Sequence, residues 1–186
     1  MNRYLKAEKR AKIANKKLLK SYPWLWPTDW GGRPFSKKKL KYRFTFYDDI
    51  PKGWRKAFGK QFLEDIKKAL GIDTMYIEQV KEKYGQLRFY YSGGNKRVDE
   101  VVRAYEVISE NVCIRCGKLD VPMVNTGWIS PYCNKCFDKI FPKLKYVNYA
   151  SEDSKISESY SFRRYAAGET ETITVDISDY VRRIRK

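Results

Sequence analysis

The chain has 186 residues, with 39 Lys and Arg against 22 Asp and Glu, a formal charge of +17, and no histidine. That length makes one or two small domains, and so large a positive charge favours polyanionic partners. The lack of histidine excludes Ser-His-Asp and Cys-His machinery, and no apolar run reaches the roughly eighteen residues of a membrane span.

Residues 3–20 read as a helix capped by Asn2, with Tyr4, Ala7, Ala11, Ala14 and Leu18 as a thin apolar stripe. Pro23, Pro27, Gly31, Gly32 and Pro34 make 21–36 a loop. It carries Trp24, Trp26 and Trp30, which are costly to leave in water and so should pack on the body or on a partner. Residues 41–46 alternate as a strand does. Residues 52–70 read as a helix with Trp54, Phe58, Phe62, Ile66 and Leu70 on one face and Gly71 at its end. Two strands follow, at 75–80 and 86–91, around a turn over 81–85; Leu87, Phe89 and Tyr91 alternate with Arg88 and Tyr90, as in a sheet with one wet face. Asn95 is placed to cap a helix over 96–110 with Val98, Val101, Val102, Tyr105 and Ile108 inward. Beyond the cysteines, the expected order is a short helix at 137–141, a Ser-rich loop near 151–161 and a strand over 172–177. A basic helix over 179–186, capped by Ser178, ends the chain.

The fold class is α+β: a small antiparallel sheet with helices and an inserted four-cysteine zinc ribbon or treble-clef-like unit. The expected organisation is a basic helix and Trp-rich linker at 1–36 and an α+β body at 37–112. A zinc-binding unit follows at 113–141, with a strand and basic helix packing on the body at 142–186.

The four cysteines are the only ones in the chain and stand as two pairs, Cys113-Ile-Arg-Cys116 and Cys133-Asn-Lys-Cys136, sixteen residues apart. That spacing falls in the range of a four-thiolate zinc site, and Gly117 allows the left-handed backbone such a knuckle uses. Trp128 and Tyr132 are placed to exclude water from the metal. Two disulfides or a redox pair are the competing reading, opposed by a Lys-rich start without a signal peptide; an iron–sulfur or other metal site is the third. A closed four-sulfur zinc is structural, since a catalytic zinc keeps an open position.

No catalytic residue is assigned. Asp48, Asp49, Glu64, Asp65 and Glu78 leave a magnesium site formally open, but their spacing forms no recognisable constellation. The basic residues Lys16, Lys17, Lys37, Lys38, Lys39, Arg182 and Arg183 are candidate phosphate contacts, and aromatics interleaved with such cations can stack bases. Trp24, Trp26 and Trp30 are the candidate partner-binding rings.

Residues 79–136 combine the run from Val80 to Gly94, a helix, Cys-x-x-Cys-Gly, Gly127-Trp128 and a second cysteine pair. This resembles a class of small uncharacterised phage and prophage zinc-binding proteins. Some phage-encoded zinc proteins of this size are anti-CRISPR proteins. The resemblance therefore implies a protein that binds a host protein or nucleoprotein complex, a guide-RNA nuclease, and blocks it or its DNA loading. The missing catalytic constellation makes it non-enzymatic by expectation, the lack of an apolar span or signal core makes it cytoplasmic, and a monomer is expected. Direct DNA or RNA binding by a phage regulator or accessory protein is the alternative.

Overall fold

The structure is a computed structural model that describes residues 3–29, 33–149, 155–156, 158–166 and 169–186. The expected cap Asn2, the candidate ring Trp30 and the side chains of Tyr4 and Lys39 lie outside the described residues.

α1 (Arg3–Ser21) forms where its spacing predicts, but it turns a different face inward. Ala7, Ala11 and Ala14 are exposed, and of the expected stripe Leu18 packs on the core, beside Leu19. Alanines bury too little apolar area to set the orientation, so polar contacts decide it. Glu8 pairs with Lys12 at 2.8 Å and Arg43 at 2.7 Å. The buried Asn15 donates its Nδ2 to the Tyr42 carbonyl at 3.0 Å. A 3-10 turn (Pro23–Leu25) then sinks Tyr22 and Leu25 into the main core.

The strand expected over 41–46 does not form. α2 (Lys37–Leu40) runs into Lys41 and Tyr42, whose φ values of 48° and 58° turn the chain out of any extended run. The Tyr42 carbonyl meets Asn15 instead of a ladder, and Phe46 begins a 3-10 turn (Phe46–Asp49).

The helix read over 52–70 is a rod of three parts: α3 (Lys52–Trp54), a π-helical turn (Arg55–Gly59) and α4 (Lys60–Leu70). Apolar residues spaced by four drift about 40° per turn in a 3.6-residue helix. The wider turn takes up part of that drift, so Trp54, Phe58, Phe62, Ile66 and Leu70 are all buried. Gly71, at φ 59°, ends the rod.

β1 (Met75–Lys83) and β2 (Gln86–Gly93) pair antiparallel and run further than their apolar cores. Their turn is only Tyr84-Gly85, with φ of 53° and 80°, the left-handed pair of a type I′ hairpin. A register shift between Ile77 and Gln79 changes the phase: Met75 and Ile77 are buried before it, Val80 after it. α5 (Lys96–Ser109) starts as expected, with Asn95 Oδ1 accepting from the Val98 N–H at 3.1 Å. It also closes the outer edge of β2. Ser109 Oγ accepts from the Leu87 N–H at 2.8 Å, and Glu106 Oε1 from the Phe89 N–H at 3.0 Å.

Helix side chains thus occupy donors that a further strand would use. In place of one small sheet, the described residues form three two-stranded antiparallel hairpins. The second joins β3 (Met123–Asn125) to β4 (Ile129–Pro131) and leads into α6 (Asn134–Ile140). The third pairs β5 (Ser159–Ala166), which begins inside the expected Ser-rich loop, with β6 (Glu169–Asp176). Ile173, Val175 and Ile177 alternate into the core. α7 (Ser178–Ile184) follows, and its N-terminal contact comes from Asp176, not from Ser178. Asp176 Oδ1 accepts from the Ser178 N–H at 2.9 Å and its hydroxyl at 2.6 Å. One buried cluster runs from Tyr22 to Val181.

Candidate metal centre and partner surfaces

The two cysteine pairs converge. All four Sγ atoms lie within 4.8 Å of one another, and no disulfide joins them. The Cys116 and Cys133 sulfurs are 3.6 Å apart. A tetrahedral ion with bonds of about 2.3 Å sets its sulfurs about 3.8 Å apart, so the donor set fits a metal ion. Among the described residues this is the one group of His, Cys, Asp or Glu side chains gathered closely enough to hold one.

Local backbone explains the convergence. The first pair sits on a knuckle in which the Cys113 N–H donates to the Lys118 carbonyl at 2.8 Å and the Gly117 N–H to the Cys113 carbonyl at 2.9 Å. Gly117 takes φ 81°, as its position required. The second pair opens α6: Cys133 is its N-cap residue and Cys136 lies in its first turn. Ile114 N–H bonds the Pro131 carbonyl at 2.9 Å and so ties knuckle to hairpin. Val121 and Tyr132 pack on the sulfurs, and Phe137 is fully buried behind them.

Burial raises the Cys133 and Cys136 thiols, and the neighbouring sulfurs raise Cys136 further. At Cys116 burial also opposes the thiolate, but the Lys118 N–H and the surrounding sulfurs outweigh it and lower the thiol. Burial and the charges of Cys133 and Cys113 push the nearby Tyr146 up to about 12. Four thiolates so close need a cation to coexist.

The knuckle is docked on the rod's first turn, a contact without any sequence signal. The Gly53 N–H donates to the Ile114 carbonyl at 2.9 Å, and Trp54 Nε1 to the Val112 carbonyl at 2.8 Å. A Cβ at Gly53 would stand 2.2 Å from the Cys113 carbonyl oxygen.

Trp128 does not shield the sulfurs as expected. It stacks on Tyr84 at 5.2 Å and 22°, and its indole N–H is held by both Glu82 oxygens at 3.1 Å. The tip of the β1–β2 hairpin thereby meets the cysteine unit.

The candidate partner residues fall into different settings. Lys16, Lys17, Lys37 and Lys38 are exposed, with Lys16 Nζ 5.0 Å from the Tyr42 ring centroid. Arg182 pairs with Asp179. Arg183 is half-buried and engaged by the fold: its Nη1 lies 2.7 Å from Asp65, which also accepts the Tyr105 hydroxyl at 2.6 Å. Trp24 packs edge-on against Tyr22 and Phe89, and Trp26 donates its indole N–H to the Phe35 carbonyl at 2.8 Å. Both line a largely apolar groove of about 470 Å³ with Leu70, Met75 and Tyr76.

Most of the carboxylates considered for magnesium are engaged separately. Asp48 meets Thr45 and Arg55, Glu64 the Tyr22 hydroxyl, Asp65 the pair above and Glu78 the Ser92 hydroxyl. No helix among the described residues is long and apolar enough to cross a membrane. No family model, curated protein or solved structure matches the chain, so nothing in these comparisons identifies a phage zinc-binding or anti-CRISPR family.

Proposed function

We propose that the protein is a non-enzymatic, zinc-stapled binding protein whose partner is nucleic acid. The observation that carries this reading is α1. It exposes Lys6, Lys9, Arg10, Lys16, Lys17 and Lys20, none with a carboxylate partner among the described residues, while its one acid, Glu8, holds Lys12 and Arg43. Lys37 and Lys38 add to the same excess. Cations left unneutralised on a helix answer to phosphate.

Four sulfurs favour zinc over harder ions, and a closed set of thiolates supplies a fold rather than a reaction. Knuckle, hairpin and a helix carrying the second pair support the treble-clef-like description. Metal analysis of the purified protein tests the zinc; one ion per chain is expected.

The inhibitor reading, an anti-CRISPR-like block on a guide-RNA nuclease in a host bacterial cell, rests on the resemblance of residues 79–136. The groove beside Trp24 and Trp26 favours a protein contact of that kind. Pull-down from bacterial lysate with and without nuclease treatment separates the two. Capture lost on nuclease treatment supports nucleic acid as the partner, and capture of a guide-RNA nuclease that survives treatment supports the inhibitor.

A further inference from the structure

We infer that the outer face of the β1–β2 hairpin, with Tyr84 at its tip backed by Trp128, is a stacking platform for single-stranded nucleic acid; this deepens the nucleic-acid reading and rests on it. The register sets the face. Val80 lies opposite Phe89, both buried, so the neighbouring pairs Gln79–Tyr90 and Lys81–Arg88 face the other way. Tyr90 is 41% exposed there, Tyr84 at the tip 57% and Trp128 beside it 49%. None of the three belongs to a core cluster.

Cations accompany these rings. Lys81 Nζ lies 5.3 Å from the Tyr90 centroid and Lys83 Nζ 5.5 Å from that of Tyr84. Neither lysine has a carboxylate partner among the described residues, whereas Arg88 lies close enough to Glu106 and Glu110 to act on their carboxyls. Rings for bases beside unneutralised ammonium groups for phosphates are the combination that binds single strands without sequence preference. A duplex hides its bases in the stack and offers such rings little.

The turn itself points the same way. Type I′ hairpins favour Asn-Gly, because both central residues take positive φ. This chain places Tyr84 there at φ 53°, where a side-chain-bearing residue is strained. The ring so placed is held against an indole that Glu82 fixes by two hydrogen bonds and whose turn Glu82 also braces through the Gly85 N–H at 2.5 Å. The platform is therefore rigid before any ligand arrives.

The test is fluorescence anisotropy of the full-length, zinc-supplied protein with a labelled oligothymidylate of about 12 nucleotides, in DNA and RNA form, against a duplex of the same length. Single strands of either kind should bind more tightly than duplex. Tyr84→Asn keeps the turn and removes the ring; Tyr90→Thr keeps strand propensity on a residue outside the core. Each should weaken single-strand binding about tenfold with zinc content and melting temperature retained. Binding by both variants equal to wild type, or a wild-type preference for duplex, overturns the platform alone. A wild-type protein that binds neither form at low salt overturns the nucleic-acid reading with it.

Discussion

Gly53 is where one missing methyl group joins two parts of the molecule. Its amide bonds Ile114, and its α-carbon stands so near the knuckle that an added Cβ would lie 2.2 Å from one backbone oxygen and 2.5 Å from the Ile114 carbonyl carbon. Backbone cannot swing aside as a side-chain tip does, so Gly53→Ala should cost about 1–3 kcal/mol. For a chain of this size that lowers the melting temperature by about 2–4 °C per kcal/mol, measurable by calorimetry. Glu106 makes a second residue-scale prediction. Burial raises its carboxyl, although Arg103, the Phe89 N–H and Arg88 all pull it down. A raised carboxyl favours the protonated form in the fold. Its contribution is therefore complete below the ordinary glutamate value of 4.5 and is lost as pH climbs through the folded value. Glu106→Gln removes that loss while an amide oxygen still accepts from Phe89. Urea midpoints from about pH 4 to about pH 7 should show the variant gaining on wild type as pH rises; a constant difference would refute the assignment.

At the scale of elements, the cysteine unit is stapled both to itself and to the rod. Cys113→Ser should abolish stoichiometric metal binding and melt the 113–141 segment. Because Trp54 Nε1 and the Gly53 amide bond the knuckle, amide exchange should quicken in α3 as well; retained metal with unchanged melting would overturn the site. Local signals foretold much of this architecture. Cys-x-x-Cys spacing marked the four sulfurs that converge, Asn95 marked the start of α5, and the four-residue spacing from Trp54 to Leu70 marked the buried rod. The failures came where non-local contacts decide. Alternation over 41–46 resembled a strand, but no strand edge takes up the Tyr42 carbonyl, and left-handed Lys41 and Tyr42 turn the chain instead. Alanines along α1 suggested the inward stripe, yet Glu8 and Asn15 set its orientation through Arg43 and Tyr42. Trp128 was legible as an aromatic near the cysteines; its stacking partner, forty-odd residues earlier at Tyr84, was not.

For the whole molecule, the question is which positive charges remain available once the fold has used its own. Composition counts Arg183 and Lys17 alike; the structure does not. Arg183 ties α7 to α4 and α5 through Asp65, and burial with the Asp65 hydrogen bond holds the Tyr105 phenol well above its usual range. Lys16, Lys17, Lys37 and Lys38 stand exposed without carboxylates among the described residues. Removing one phosphate-binding cation should lower the slope of log affinity against log salt by about 0.7–0.9. Changing these four lysines to glutamine should thus flatten the slope for an oligonucleotide by about three units, with melting temperature unchanged. Arg183→Gln should do the opposite: it leaves Asp65, whose side chain is 13% exposed, without its cation, so melting falls by several degrees while the salt slope stays. Paired salt titrations and melting curves on the two variants separate these roles, and a flattened slope in Arg183→Gln with stability intact would show that the Asp65 pair is open to solvent and ligand rather than part of the fold.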